Sequence, residues 1–333
     1  MPTQSKSDKS EPTKSEPAIW LRKDLLDTAD LNLADFNLIF ETTDAMIEVR
    51  ERPIARTTTL RGTTLATLFY ENSTRTRASF EIAGKALGAD VVNLSASQSS
   101  VGKGESLIDT VRTLEAIGAD ILVLRHPLSG ASTLASKYTN ASVINAGDGM
   151  HAHPTQALLD LFTIKQHLGE LSGRKIVIVG DILHSRVARS NIWALLTLGA
   201  QITLCGPATL LPKYFTQHKS DLQNVTVTTN LKTALSNADV VMTLRLQKER
   251  QRNSIIPSLS EYIRNYQINN DTIALAKSTA IVMHPGPVNA GFEISQEVAE
   301  GKQSVISAQV TNGVAIRMAL LYLFATRTTD FPA

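Results

Sequence analysis

Seven consecutive residues, Glu71-Asn72-Ser73-Thr74-Arg75-Thr76-Arg77, place three hydroxyls and two guanidinium groups at the seam between a strand-like run and a helix-like run. That combination suits a phosphate. The first N–H groups of a helix have no intrahelical acceptor and lie at the positive end of its dipole, so a bound dianion satisfies them. Hydroxyls from Ser73, Thr74 and Thr76 add donors, and Arg75 adds a planar charged fork. The alternative is an ordinary helix start, with Ser73 or Thr74 as N-cap and both arginines solvated. Against it stands electrostatics: a cation in the first turn is unfavourable unless an anion accompanies it. Within the run, Arg75 and the hydroxyls are expected to face the ligand and Arg77 to be structural.

Other polar clusters also follow directly on strand-like segments: Arg125-His126-Pro127, Gly147-Asp148-Gly149, Gly180-Asp181, Arg245 and His284-Pro285-Gly286-Pro287. Two histidines at i and i+2, His151 and His153, invite a metal reading, but the remaining histidines show no ligand spacing. His153, just before Pro154, suits a neutral hydrogen-bond donor to a carbonyl, and His151 reads as a loop histidine facing water. The segment from Gly180 to Arg186 sits where a dinucleotide loop would, yet lacks G-x-G-x-x-G spacing, which argues against a nicotinamide cofactor. Arg186 repeats the placement of Arg75 at a helix start, and Arg245 with Gln247 at a strand end suits a carboxylate. The stretch from Ser97 to Glu105 is small, polar and glycine-bracketed around Lys103, which fits either a flexible loop or a mobile lid.

The elements that must position these groups alternate between helix and strand from Trp20 onward, the signature of parallel α/β architecture. Strands are expected at 64–70, 90–94, 120–125, 142–146, 175–180, 201–205, 225–229, 239–245 and 280–284. Helices are expected after Arg77, stopping at Gly88; through Leu107 to Ile117, with Gly118 as stop; from Pro154; and from about Ser304 to Thr326, the last apolar on more than one face. The polar stretch 167–174 marks a domain boundary. The predicted fold is therefore α/β with two domains, each a parallel sheet flanked by helices: 18–166, 167–303, and a C-terminal segment 304–333 packing back on the first. In such sheets ligands bind beyond the carboxyl ends of the strands, where the six clusters fall.

Composition limits the function classes. With 333 residues and 43% hydrophobic content the chain can build two cores, and 33 basic against 31 acidic residues leave no field to recruit nucleic acid or membrane. The single Cys205 excludes an internal disulfide and reads as a core thiol. Residues 1–17 are too polar to offset their ordering entropy and are expected to form a disordered tail. No run of about 18 uninterrupted apolar residues or signal-peptide pattern is present, so a cytoplasmic protein is expected.

From about Trp20 to Phe324 the chain resembles the aspartate/ornithine carbamoyltransferase family, above all in Ser73-Thr74-Arg75-Thr76-Arg77, His153-Pro154-Thr155-Gln156 and His284-Pro285-Gly286-Pro287. The resemblance implies carbamoyl transfer from carbamoyl phosphate to the amine of L-aspartate, in pyrimidine biosynthesis, with no cofactor or metal. It implies that the phosphate lies on Ser73, Thr74, Arg75 and Thr76 with Arg125 nearby, and that Thr76, Arg125 and His153 polarise the carbonyl. Gln156 and the carbonyls near Gly286 and Pro287 would hold the carbamoyl NH2. Lys103, Arg186, Arg245 and Gln247 match the family's aspartate-binding positions. Ornithine-specific members carry cysteine after the histidine of the late motif, where this chain has Pro285. A homotrimer with shared sites is implied, Ser99 and Lys103 entering from the neighbouring chain, with companion subunits in larger assemblies. Glu71 would pair with Arg186 and Arg250 on domain closure. Ala290 stands where many members have arginine, which bears on how the late loop is anchored. The remaining alternatives are another amine acceptor and a non-catalytic anion-binding assembly subunit.

Overall fold

The computed structural model describes residues 19–95, 105–214, 223–246 and 259–327. Ser99, Lys103, Gln247, Arg250 and the tail 1–17 lie outside the described residues. The strands are β1 Thr64–Phe69, β2 Asp90–Ser95, β3 Ile121–His126, β4 Ser142–Asp148, β5 Lys175–Val179, β6 Gln201–Cys205, β7 Val225–Thr228, β8 Val240–Thr243 and β9 Ile281–Met283. The helices are α1 Leu33–Glu51, α2 Thr74–Leu87, α3 Leu107–Ala116, α4 Ala131–Ser136, α5 Pro154–Leu168, α6 Arg186–Thr197, α7 Leu231–Leu235, α8 Leu259–Tyr266, α9 Asn270–Ile273, α10 Gln296–Ala299 and α11 Ile306–Ala325.

All strand pairings are parallel, in two sheets ordered β2-β1-β3-β4 and β7-β6-β5-β8-β9. Each sheet reverses its winding once, between β1 and β3 in the first and between β5 and β8 in the second. A crevice opens at such a reversal because the flanking connections leave on opposite faces.

Successive strand residues face opposite sides, and the core divides accordingly. Leu65, Phe69, Ile121, Val123 and Ile144 from the first sheet, with Ile176, Ile178, Val240 and Met242 from the second, join one core with α1, α2, α5, α6 and α11. Their neighbours Ala66, Leu68, Leu122, Leu124 and Val143 pack under α3 and α4. Val177, Val179, Cys205, Val241 and Val282 form the third cluster, with Tyr262, Tyr266 and Ile273. Cys205 is a buried core thiol, and burial pushes it up to about 12.

Helix α11 is long and apolar enough to cross a bilayer, yet 72% of its most apolar window is buried against protein. It packs on α1, α2 and α5, returning the chain to the first domain. Its few polar residues explain how. Arg317, buried, donates to Ser79 Oγ of α2 at 3.1 Å and to the Gly313 carbonyl at 2.8 Å, and its guanidinium lies 5.1 Å from the Phe80 ring centroid. Burial pulls its pKa down to about 10, with Asp160 opposing. Helix α1, which supplies Phe36, Ile39, Phe40 and Met46 to the same core, is absent from the expected elements. Its start carries a full capping box, Asn32 with Asp35.

Candidate active site

The phosphate-cradle run falls at the first reversal point. β1 ends at Phe69, Tyr70 donates its N–H to the Arg125 carbonyl at 2.8 Å, and α2 starts at Thr74. The neighbouring ends of β1 and β3 thus bring Glu71–Arg77 beside Arg125. Ser73 occupies the N-cap position, but its hydroxyl makes no capping bond to the helix. The simple capped-helix alternative therefore fails at Ser73, whose side chain caps none of the opening amides of α2. Thr76 is buried, whereas Arg75 and Arg77 are exposed.

Arg75 reaches toward the second half of the chain. A side-chain carbon placed on Gly286 would overlap the Arg75 guanidinium, so the two are in close contact and any other residue at Gly286, whose φ is +64°, would have to displace that guanidinium. Partial burial, followed by the like charge of Arg245, holds the Arg75 pKa below its ordinary value. Arg75 of the first domain thus reaches the late loop of the second.

Glu71 joins the domains at the same place. Its Oε2 accepts from Arg186 Nη2 at 2.8 Å and lies 3.2 Å from Arg125 Nε. Arg186 also donates to the Gly149 carbonyl at 3.2 Å, and a Cβ on Gly147 (φ +115°) would come 2.9 Å from its guanidinium. The expected Glu71–Arg186 pair is present; Arg125 is an additional partner that the sequence does not indicate. Arg125 also donates to the Ala146 carbonyl at 3.3 Å, tying β3 to β4.

His153 is buried at the N-cap of α5, again without a side-chain capping bond, and its backbone N–H donates to Ser190 Oγ of α6 at 2.9 Å. His151 departs from the expectation of a water-facing loop residue. Its ring lies 3.1 Å from Asp148 Oδ2 and 3.3 Å from Asp27, and these two carboxylates raise its pKa to about 10. In Asp148, burial pushes upward but the contacts from His151, Asn145 and Gly130 prevail, leaving it below the usual carboxylate range. Among the described residues no cluster of three or more histidine, cysteine or acidic side chains is arranged to hold a metal ion.

Beneath these groups lies a buried polar layer that the sequence does not announce. Asp160 Oδ1 accepts from Gln156 Nε2 at 2.9 Å and from Gln309 Nε2 at 2.7 Å, while Oδ2 accepts from Asn191 Nδ2 at 3.0 Å. Burial raises Asp160 to about 6 against these donors and Arg317. Gln309 Oε1 in turn accepts the His284 N–H at 3.0 Å, and His284 Nδ1 accepts the Gly286 N–H at 2.7 Å. Glu293 completes the layer, 3.1 Å from His284 Nε2 and accepting the Asn289 N–H at 2.9 Å. The late loop is thus anchored by Glu293 and by Gln267, which donates to the Gly291 carbonyl at 2.8 Å, with Ala290 taking no part through its side chain. Two signals of this layer are present in the chain: Asp160 stands i+4 from Gln156 on α5, and Gln309 and Arg317 are buried polar residues in a largely apolar helix.

Comparison with known proteins decides the family. The model described as aspartate/ornithine carbamoyltransferase, carbamoyl-P binding domain, matches residues 23–166, and the one described as aspartate/ornithine carbamoyltransferase, Asp/Orn binding domain, matches residues 172–324. The chain belongs to the aspartate/ornithine carbamoyltransferase family. The aspartate carbamoyltransferase catalytic subunit of Dehalococcoides mccartyi is 54% identical over 309 residues, 93% of each chain. The aspartate transcarbamoylase of Trypanosoma cruzi, solved with carbamoyl phosphate and aspartate, is 32% identical, with TM-score 0.82 over 91% of this chain and 97% of that one. Ornithine carbamoyltransferase from Pyrococcus furiosus is 29% identical, with TM-score 0.83 over 92% of this chain and 98% of that one. The backbone therefore serves both acceptors in this family, and the choice between them rests on side chains.

Proposed function

We infer that this protein transfers the carbamoyl group of carbamoyl phosphate to the amine of L-aspartate, giving N-carbamoyl-L-aspartate and phosphate, in pyrimidine biosynthesis. The observation that carries the reading is geometric: the start of α2, which the Ser73 side chain does not cap, stands beside Arg125, and one carboxylate, Glu71, holds Arg125 at 3.2 Å and Arg186 of the second domain at 2.8 Å.

The phosphate would sit on the open end of α2, with Ser73, Thr74, Arg75 and Thr76, and within reach of Arg125. Thr76, Arg125 and His153 would form the oxyanion site for the tetrahedral intermediate. Gln156 and the carbonyls near Gly286 and Pro287 would accept from the carbamoyl NH2. Aspartate's carboxylates would take Arg186, Arg245, Gln247 and Lys103, and the Glu71 pairing with Arg186, extended by Arg250, would link binding to closure. The amine nitrogen bonds the carbamoyl carbon, the carbon–oxygen bond to phosphate breaks, and the departing phosphate takes the amine's proton. Positioning and electrostatics are sufficient, so no covalent enzyme intermediate is needed.

The division of labour follows the two sheets: residues 18–166 bind carbamoyl phosphate, 167–303 bind aspartate, and 304–333 return to the first domain. A cytoplasmic homotrimer, in which Ser99 and Lys103 complete a neighbour's site, agrees with their position in the polar stretch following β2. Larger assembly with companion subunits is compatible with it. The test is product analysis with carbamoyl phosphate and either L-aspartate or L-ornithine. Carbamoyl-aspartate is the expected product; its absence from folded protein, or preferential citrulline formation, would sink the reading.

A further inference from the structure

Asp160 is fully buried, and its carboxylate accepts hydrogen bonds from three side-chain amides contributed by α5, α6 and α11. An ionised carboxylate has no hydrogen to give, so each amide must turn its nitrogen toward Asp160 and its oxygen away. For Gln309 the consequence is visible: the oxygen turned away accepts the His284 N–H at 3.0 Å, fixing the start of the loop that carries Gly286 and Pro287. For Gln156 the geometry of the helix gives the direction. Its nitrogen reaches forward to the residue at i+4, so its oxygen is the end of the amide turned away from Asp160, in the first turn of α5.

The same carboxylate oxygen, Oδ1, holds both glutamines. It thereby orients two acceptors: the Gln156 side-chain oxygen directly, and the Gly286–Pro287 backbone through Gln309 and His284. We propose that Asp160 is a positioning residue that sets donor specificity, presenting oxygen atoms to the ligand so that a carbamoyl nitrogen, which donates two hydrogens, is accepted over an isosteric methyl. Without Asp160 the Gln156 amide is free to turn, and its NH2 would then face the ligand's NH2. A hydrogen-bonding site of this kind discriminates strongly, because the wrong group leaves buried acceptors unpaired.

This inference rests on the carbamoyl phosphate reading above, and its test separates the two. KM for carbamoyl phosphate at saturating aspartate is compared with Ki for acetyl phosphate as a competitive inhibitor, whose methyl gives Gln156 no hydrogen to accept. In Asp160→Ala, KM for carbamoyl phosphate should rise tenfold or more while Ki for acetyl phosphate changes less than twofold. Asp160→Asn should return KM to within threefold of wild type. In that variant the introduced amide can keep its oxygen toward the glutamines, while Asn191 keeps its own bond to the Val187 carbonyl at 3.0 Å. A parallel rise of KM and Ki in Asp160→Ala means a loosened site and overturns the proposal, as does no change in either, or an Asp160→Asn variant as impaired as Asp160→Ala. Should Asp160→Ala show no cooperative thermal melt, Asp160→Ser is read by the same criteria. Wild-type protein that makes no carbamoyl-aspartate sinks the parent reading; active wild type with unaltered Asp160 variants sinks this one alone.

Discussion

At the first sheet's reversal point α2 begins at Ser73, whose hydroxyl makes no bond to the helix, and α5 beside it begins at His153, likewise without a side-chain cap. At the second sheet's reversal point α6 begins at Ser185, whose hydroxyl accepts the Ala188 N–H at 3.1 Å. The arginines differ in parallel. Arg75 in the first turn of α2 is exposed, while Arg186 in the first turn of α6 is buried and bonded to Glu71 at 2.8 Å. One serine type at one helix position thus serves two ends: Ser185 caps α6 with its own side chain, whereas Ser73 makes no such bond to the first amides of α2.

The largest effect that would test this contrast is kinetic and confined to the first edge. Arg75→Ala should lower kcat/KM for carbamoyl phosphate by about 10³-fold, at the upper end for losing one charged transition-state contact, with the thermal midpoint unchanged. Steady-state formation of carbamoyl-aspartate measures it. Full activity in the variant would make Arg75 a solvated surface residue and collapse the distinction from Arg186.

Next in size is Gly286→Ala, which reaches the same guanidinium from the opposite domain. The added carbon overlaps the Arg75 guanidinium and requires a non-glycine residue at φ +64°. The backbone cost is about 1 kcal/mol, whereas displacing a binding group by about 1 Å can cost on the order of 10²-fold in rate. A loss of that order, with a modest fall in the melting midpoint, is the expected pattern. Unimpaired turnover would show that Arg75 acts from another position.

The two serines offer the most direct comparison. Ser185→Ala should cost about 1 kcal/mol of stability, as loss of an occupied N-cap does, with carbamoyl phosphate affinity nearly unchanged. Ser73→Ala should do the reverse, weakening carbamoyl phosphate binding several-fold while leaving the denaturation midpoint where it was. Denaturant titration and KM measurements on both variants suffice. Equal stability losses would mean that Ser73 caps α2 after all.

Much of this contrast is legible in the sequence, because strand–turn–helix seams carry local signals. Arginines at a helix start oppose the dipole, and that conflict alone marks Arg75. What is not legible arises from contacts between residues far apart in the chain. Gln156 is recognised within its own motif, but its partner Asp160 gains its role from Gln309, 149 residues later, and from Asn191 in the other domain. Arg125 as a second partner of Glu71 depends on β1 and β3 being neighbours, which strand patterns do not specify. Helix α1 is missing from the expected elements although Phe36, Ile39, Phe40, Thr43 and Met46 recur at helical spacing. Its buried residues are apolar apart from Thr43, and it packs against α11.

The smallest effect concerns the loops just beyond β4 and β5, which repeat one arrangement: an aspartate buried at the strand end with a histidine three residues on, Asp148 with His151 and Asp181 with His184. In the first of these loops His151 also faces Asp27, 3.3 Å away. With a folded-state pKa of about 10 against about 6.5 unfolded, His151 binds its proton more tightly in the native protein. Its stabilising contribution is therefore complete below about pH 6.5 and is lost as pH rises toward 10. Because 39% of the side chain is exposed, solvent screening reduces that contribution to about 1 kcal/mol. Wild type should exceed His151→Ala in stability by that amount at pH 6, and the gap should narrow as denaturant titrations are moved to pH 10. A gap that is constant with pH would assign His151 a packing role instead of a charged one.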